Sequence, residues 1–211
     1  MNLVFDFGAV LFQWQPVELI RQWFPEEAAP GEQASRLRHA VFGHADWHCF
    51  DRGTLGMDEV IARTSVRLNL DADRLGSLMQ HIGVHLVPIA GTVRLLLDLH
   101  EQRCIQGGLK LYFLSNMPAP YARRLEELHA FLTCFDGGVF SGDVHYIKPE
   151  PEIYQLLQKR YALEPGRTVF IDDLHSNVLA AEQQGWTGIQ FHSAEQLQAE
   201  LLARNIYKVS Q

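Results

Sequence analysis

The sequence predicts an α/β protein: a Rossmann-like parallel sheet with helices on both faces, plus an inserted helical cap. Three observations predict it. From Ile89 onward, short apolar runs alternate with helix-length amphipathic segments, as parallel strands joined by crossover helices do. Three of the apolar runs end in polar residues, at Asp6, at Ser115-Asn116 and at Asp172-Asp173, and parallel strands bring such residues to one rim of the sheet. Between about Gln13 and Pro88 there is no β-like run, while helical spacing recurs. The expected division is therefore a core of 1–13 and 89–211 with a helical cap of 14–88.

Taken in order, Leu3-Val4-Phe5 is a buried strand that stops at Asp6, and the small residues Gly8-Ala9 turn the chain before Val10-Leu11-Phe12. Pro16 suits a first helical turn, and Val17, Ile20 and Phe24 share a face behind it. A second helical segment opens at Gly31-Glu32, a third covers Asp58 to Leu70, and a fourth covers Asp71 to Ile82. Thr92 to Glu101 is a helix broken by Gly107-Gly108, and Leu109 to Leu114 is a buried strand. Pro118 and Pro120 open a helix through His129; Phe135 to Phe140 is a weaker strand, softened by Gly137-Gly138. Helix Pro151 to Tyr161 and strand Thr168 to Ile171 follow, then a helix from Asn177 capped at Gly185. Strand Thr187 to Phe191 and helix Ala194 to Arg204 complete the pattern.

The composition narrows the function. The 211 residues are 47% hydrophobic and 20% charged, the balance of a globular enzyme. A net charge of -7 and a pI near 5.8 argue against nucleic acid or an anionic membrane as partner. There is no basic leader and no apolar stretch of about 20 residues, so neither a signal peptide nor a membrane span is expected. Cys49, Cys104 and Cys134 are odd in number and far apart, which suits reduced thiols in the cytoplasm.

The rim residues form a coherent chemical set. Carboxylates from different strands, Asp6 with Asp172-Asp173, can hold Mg²⁺, an oxygen-seeking ion that keeps positions open for water and phosphate. The Ser115 hydroxyl, neighbouring N–H groups and the Lys148 ammonium can neutralise phosphate oxygens. Asp6 is then placed to attack phosphorus and form an aspartyl-phosphate.

Four stretches, FDFGAVLF (Phe5 to Phe12), FLSN (Phe113 to Asn116), KPEPEIY (Lys148 to Tyr154) and VFIDDLHSNVLAAEQQG (Val169 to Gly185), together make the chain resemble the haloacid-dehalogenase-like hydrolases. The last two are similar to bacterial sugar-phosphate phosphatases of the alpha-D-glucose-1-phosphate type. That resemblance implies Asp6 as nucleophile, Ser115 and Asn116 as phosphate-binding residues, and Lys148 pairing with both nucleophile and phosphate. It implies Mg²⁺ held by Asp6, Asp173 and the Gly8 backbone carbonyl, with Asp172 as a further ligand or support. The substrate would be a small phosphorylated metabolite, and 14–88 the cap that closes over it.

One departure matters. Many phosphatases of this kind carry a second aspartate two residues after the nucleophile as general acid and base, and here Gly8 stands there. Loss of a positioned proton donor costs about 10²–10⁴ in rate. In the cap, Trp47 to Gly53 is richer in rings and charges than a solvated loop needs to be. Asp51, Arg52 or His48 can contact the substrate there or supply the proton, with His145 and Tyr146 as weaker candidates. His44 and His48 have the spacing of helical zinc ligands but no third ligand in sight. Two alternatives to a phosphatase stay open: a metal-independent 2-haloacid dehalogenase using the same nucleophile, and a catalytically retired binding protein, for which Gly8 is the support.

Overall fold

β1 (Asn2–Phe5) is short, apolar and free of helix signals, and it lies in the middle of the sheet. The computed structural model describes residues 1–28 and 32–208. Among them β1 is joined by β2 (Lys110–Ser115), β3 (Gly137–Phe140), β4 (Thr168–Asp172) and β5 (Thr187–Gln190). The strands are all parallel, in the order β3-β2-β1-β4-β5. The chain builds outward from β1 through β2 to β3, then returns to the other side of β1 for β4 and β5. The order therefore reverses beside β1, where an open parallel sheet leaves a crevice at its carboxyl edge.

Alternating residues sort onto two faces, as strand geometry requires. Val4, Tyr112, Leu114 and Phe170 pack with Ile153, Tyr154 and Leu157 of α8 (Pro151–Tyr161) and with Ala180 and Ala181 of α9 (His175–Gln183). Leu3, Phe5, Leu111 and Ile171 face the other way. They share a core with Leu96 and Leu99 of α6 (Ala90–Gln106) and Leu197 and Leu201 of α10 (Ala194–Ala203).

The insert consists of α1 (Pro16–Trp23), α2 (Gln33–Phe42), α3 (Ala45–Asp51), α4 (Met57–Leu68) and α5 (Ala72–His85). Its buried residues, among them Ile20, Phe24, Leu75, Leu78 and Met79, belong to the same apolar cluster as that second sheet face. The insert thus shares one continuous apolar core with the sheet layer rather than closing a separate one. Its two ends are stitched together: Gln13 N–H donates to Val87 O at 2.8 Å, and Ile89 N–H donates to Leu11 O at 2.8 Å.

Local signals explain most boundaries. Asp71 caps α5 by accepting Arg74 N–H at 2.7 Å, and α4 stops where Asn69 takes φ 51°. α6 continues past Glu101 to Gln106 and ends at Gly107 and Gly108, both left-handed. Gly31 lies outside the described residues, and α2 begins at Gln33. The sequence gives no separate helix over Ala45–Asp51, yet the structure has one, capped by His44, whose Nδ1 accepts Asp46 N–H at 3.1 Å. α7 (Ala119–Leu128) follows β2 behind Pro118. No helix among the described residues is long and apolar enough to cross a membrane.

Candidate active site

Asp6 sits one residue past β1, and its N–H extends the ladder to Ile171 O at 2.9 Å. The chain then turns tightly. Phe7 O accepts N–H bonds from Leu11 and Phe12 at 2.9 and 2.8 Å, and Ala9, at φ 56°, donates to Phe12 O at 2.7 Å. None of these bonds uses the Gly8 carbonyl. A Cβ added at Gly8 would meet only Trp14 Cβ, at 3.9 Å. The missing carboxylate is therefore not excluded by packing.

Lys148 lies in the loop before α8 and is buried. Its Nζ stands 2.6 Å from Asp172 Oδ2 and 2.8 Å from Asp6 Oδ1. Burial works against its charge, but the carboxylates of Asp172 and Asp6 outweigh that and hold its pKa above the usual lysine value. The loop is clamped from β2: Asn116 Oδ1 accepts Lys148 N–H at 2.7 Å, and Asn116 Nδ2 donates to Lys148 O at 3.0 Å. Asn116 thus has its side chain on the lysine's backbone, while Ser115 is buried beside it at the end of β2.

The two aspartates of the pair differ. Asp172 is completely buried and well supplied with donors: Leu174 N–H at 2.8 Å, Asn177 Nδ2 at 3.0 and 3.1 Å, and the Lys148 ammonium. Asp173 is half-buried, and burial together with the Asp172 charge raises its pKa to about 6. Burial raises Asp6 to about 7, against the pull of Lys148 and with the push of Asp172. Oxygens of Asp6, Asp172 and Asp173 come within 4.8 Å of one another. Asp6 Oδ1 is buried and, despite its ion-pair distance to Lys148, has no partner in hydrogen-bond geometry. Three converging carboxylates, one of them with an oxygen free of hydrogen bonds, are a donor set suited to a hard divalent cation.

From the insert, Asp51 ends α3, and its carbonyl accepts the Ser141 hydroxyl at 2.5 Å. Ser141 Oγ in turn accepts Met117 N–H at 2.8 Å, beside Asn116. Arg52 binds Glu150, with Nη1 to Oε2 at 2.8 Å, and donates to His145 O at 3.1 Å. Its guanidinium therefore joins the insert to the loop that carries Lys148. His145 Nδ1 is 3.0 Å from Arg52 O, while His48 and Tyr146 are exposed. Among the described residues no cluster of potential metal ligands includes His44 or His48.

Thus Asp6, Lys148, Asp172, Asp173, Ser115 and Asn116 meet on one rim. Sequence reasoning did not single out Asn177, Ser141 or Glu150. Asn177 lies one helical turn after the acidic pair and Glu150 two residues after Lys148, spacings that carry a signal; Ser141 carries none.

A family model for haloacid dehalogenase-like hydrolases matches residues 4–185. The chain is 26% identical over 186 residues to the sesquiterpene phosphatase astK of Aspergillus oryzae, covering 88% of this chain and 87% of that one. It is 25% identical over 207 residues to the drimenol cyclase drtB of Aspergillus calidoustus, 94% of this chain but 35% of that protein. Among solved structures, a HAD family enzyme of Bacteroides thetaiotaomicron in complex with magnesium and inorganic phosphate is similar at TM-score 0.66. It is 17% identical and covers 89% of this chain and 92% of its own. The L-2-haloacid dehalogenase of Xanthobacter autotrophicus with chloropropionic acid covalently bound is similar at TM-score 0.64, with 19% identity over 98% of this chain and 84% of that one. These structures share the fold.

Proposed function

Since the chain belongs to the haloacid dehalogenase-like hydrolases, as the match over residues 4–185 shows, we propose that it is a Mg²⁺-dependent phosphatase acting on a small phosphomonoester. The observation that carries this reading is the meeting of Asp6, Asp172 and Asp173 around Lys148, with Asp6 Oδ1 left without a hydrogen bond. An attack on carbon in an anionic haloacid is disfavoured by that many carboxylates, whereas a phosphate shielded by a cation is suited to them.

Asp6 is the nucleophile, and its carboxylate forms the bond to phosphorus. Lys148 pulls the Asp6 carboxyl toward its ionised form, against burial, and offers an N–H to a phosphate oxygen. Ser115 supplies a hydroxyl at the end of β2, and Asn116, through its grip on the Lys148 backbone, keeps the ammonium in place before substrate arrives. Asp6, Asp173 and the Gly8 carbonyl would hold Mg²⁺, with Asp172 fixing Lys148 beside them. When bound, the ion supplies positive charge that lets an anionic carboxylate approach an anionic phosphate. The insert acts as the cap over this rim. A phosphosugar is the first substrate class to test, and the named activity of the fungal relative adds isoprenoid phosphates.

The test is phosphate release from a panel of phosphosugars, isoprenoid phosphates, nucleotides and small phosphorylated acids. We expect turnover with Mg²⁺, loss of it in EDTA, and a fall of at least about 10³-fold in Asp6→Asn. Full activity in Asp6→Asn would overturn the mechanism. Chloride release from 2-chloropropionate in EDTA would favour the dehalogenase instead, and binding without turnover of any ester would favour a retired hydrolase.

A further inference from the structure

With glycine at position 8, the turn after the nucleophile has no acid to protonate a leaving alkoxide. The insert carries an acid residue whose backbone is tied to the same rim. Asp51 is the last residue of α3, and its backbone is held at the rim by the Ser141 hydroxyl, itself tied to Met117 N–H next to Asn116. Two residues on, Gly53 rests so closely on Gly142 that a Cβ there would lie 2.3 Å from Gly142 O. Between them, Arg52 is fixed to Glu150 and to His145 O. The Asp51 side chain is partly buried and lies within electrostatic reach of the rim. Trp47, one turn earlier in α3, and the Lys148 ammonium favour its ionised form, and the Asp6 charge opposes it.

We propose that Asp51 is the general acid and base of this hydrolase, giving its carboxyl proton to the leaving oxygen and then taking one from water. The assignment rests on the phosphatase reading above. As Asp6 forms its bond to phosphorus, the ester P–O bond breaks with its electron pair on oxygen, which takes the Asp51 proton and leaves as a neutral alcohol. The Asp51 carboxylate then removes a proton from a water whose oxygen attacks phosphorus. The bond to Asp6 breaks, its carboxylate is restored, phosphate leaves, and Asp51 is again protonated. One ester and one water become one alcohol and one phosphate.

The neighbours do not compete for this role. Arg52 is bound to a carboxylate, His48 is exposed, and the Tyr121 hydroxyl donates to Met79 O at 2.8 Å. Burial also raises the Asp51 pKa to about 8, despite Trp47 and the nearby ammonium, so the carboxyl carries its proton at neutral pH.

The experiment compares benzyl phosphate, whose alkoxide needs a proton, with 4-nitrophenyl phosphate, whose phenolate does not. In Asp51→Asn, benzyl phosphate turnover should fall by about 10²–10⁴. The nitrophenolate burst should keep a rate within about tenfold of wild type and a size of about one per enzyme, followed by slow phosphoenzyme hydrolysis. Equal loss on both esters in a folded variant, or no loss on benzyl phosphate, would overturn the assignment. If Asp51→Asn does not fold by circular dichroism, Asp51→Glu decides: it keeps the proton, so the ratio of the two esters should stay near wild type, and a ratio shifted toward the aryl ester would overturn the role. Wild type inactive on every ester would sink the phosphatase reading, and this assignment with it. Wild type active, and dead in Asp6→Asn but indifferent to Asp51→Asn, would sink only the latter.

Discussion

Asp172 and Asp173 are adjacent in sequence and opposite in circumstance. Asp172 has donors on both oxygens and anchors Lys148, whereas Asp173 carries a carboxyl whose pKa burial lifts from 3.8 to about 6. The sign of its effect on stability follows. Between about pH 4 and 6 the folded protein keeps a proton that the unfolded chain has released, so this group makes stability fall as pH rises through that window. At pH 7 the full penalty is present, reduced by its partial exposure. Asp173→Asn should therefore raise the melting temperature of the protein in EDTA at neutral pH, by the equivalent of about 1–2 kcal/mol. The same variant should lose the rise in melting temperature that Mg²⁺ gives the wild type. Both are read by thermal denaturation with and without the ion. At this scale the sequence was informative because a run of apolar residues that stops at a carboxylate is visible as such. What it concealed was how the polar groups divide their tasks. Beyond its expected place at the phosphate, the Asn116 amide holds Lys148 by both backbone groups, a pairing across 32 positions that no local pattern announces.

α3 shows where sequence reading ends at the scale of an element. It is seven residues long, too short for a helical period to register twice, and rings and charges dominate it. Tertiary contacts make it a helix: Trp47 and Phe50 are buried, and Phe50 meets Tyr121 edge-on at 5.6 Å. The strands, by contrast, were visible from their continuous apolar runs, since strands covered on both faces need no polar side. The exit from α3 depends on Gly53, which combines φ +75° with direct contact against Gly142. Gly53→Ala should destabilise by about 1–3 kcal/mol. Because the displaced segment carries Asp51 and Arg52, turnover should fall further than the melting temperature alone accounts for. Parallel measurement of kcat and Tm checks this.

For the whole molecule, the ring of Phe7 joins the nucleophile's turn to two other strands and their loops. It lies 4.9 Å from Phe113, 5.2 Å from Phe140 and 5.5 Å from Phe12. Phe7→Ala should cost about 3–5 kcal/mol, read as a lowered midpoint in urea denaturation. The alternation of strands and helices made the fold class legible. The strand order was not, because it depends on which pairings bury the two faces of β1, a property of the assembled sheet. Nor does any period reveal that the insert shares a core with one of those faces. The insert's stitched ends, Gln13 to Val87 and Leu11 to Ile89, have a consequence for how such a molecule diversifies. Chain leaves and re-enters the sheet layer at a single seam, so a recombined segment can be spliced in there without altering any rung of the strand ladder. The newcomer must bring an apolar underside that mates with the shared core. Beyond that it is a replaceable cassette, and in this chain the cassette is also where Asp51 resides.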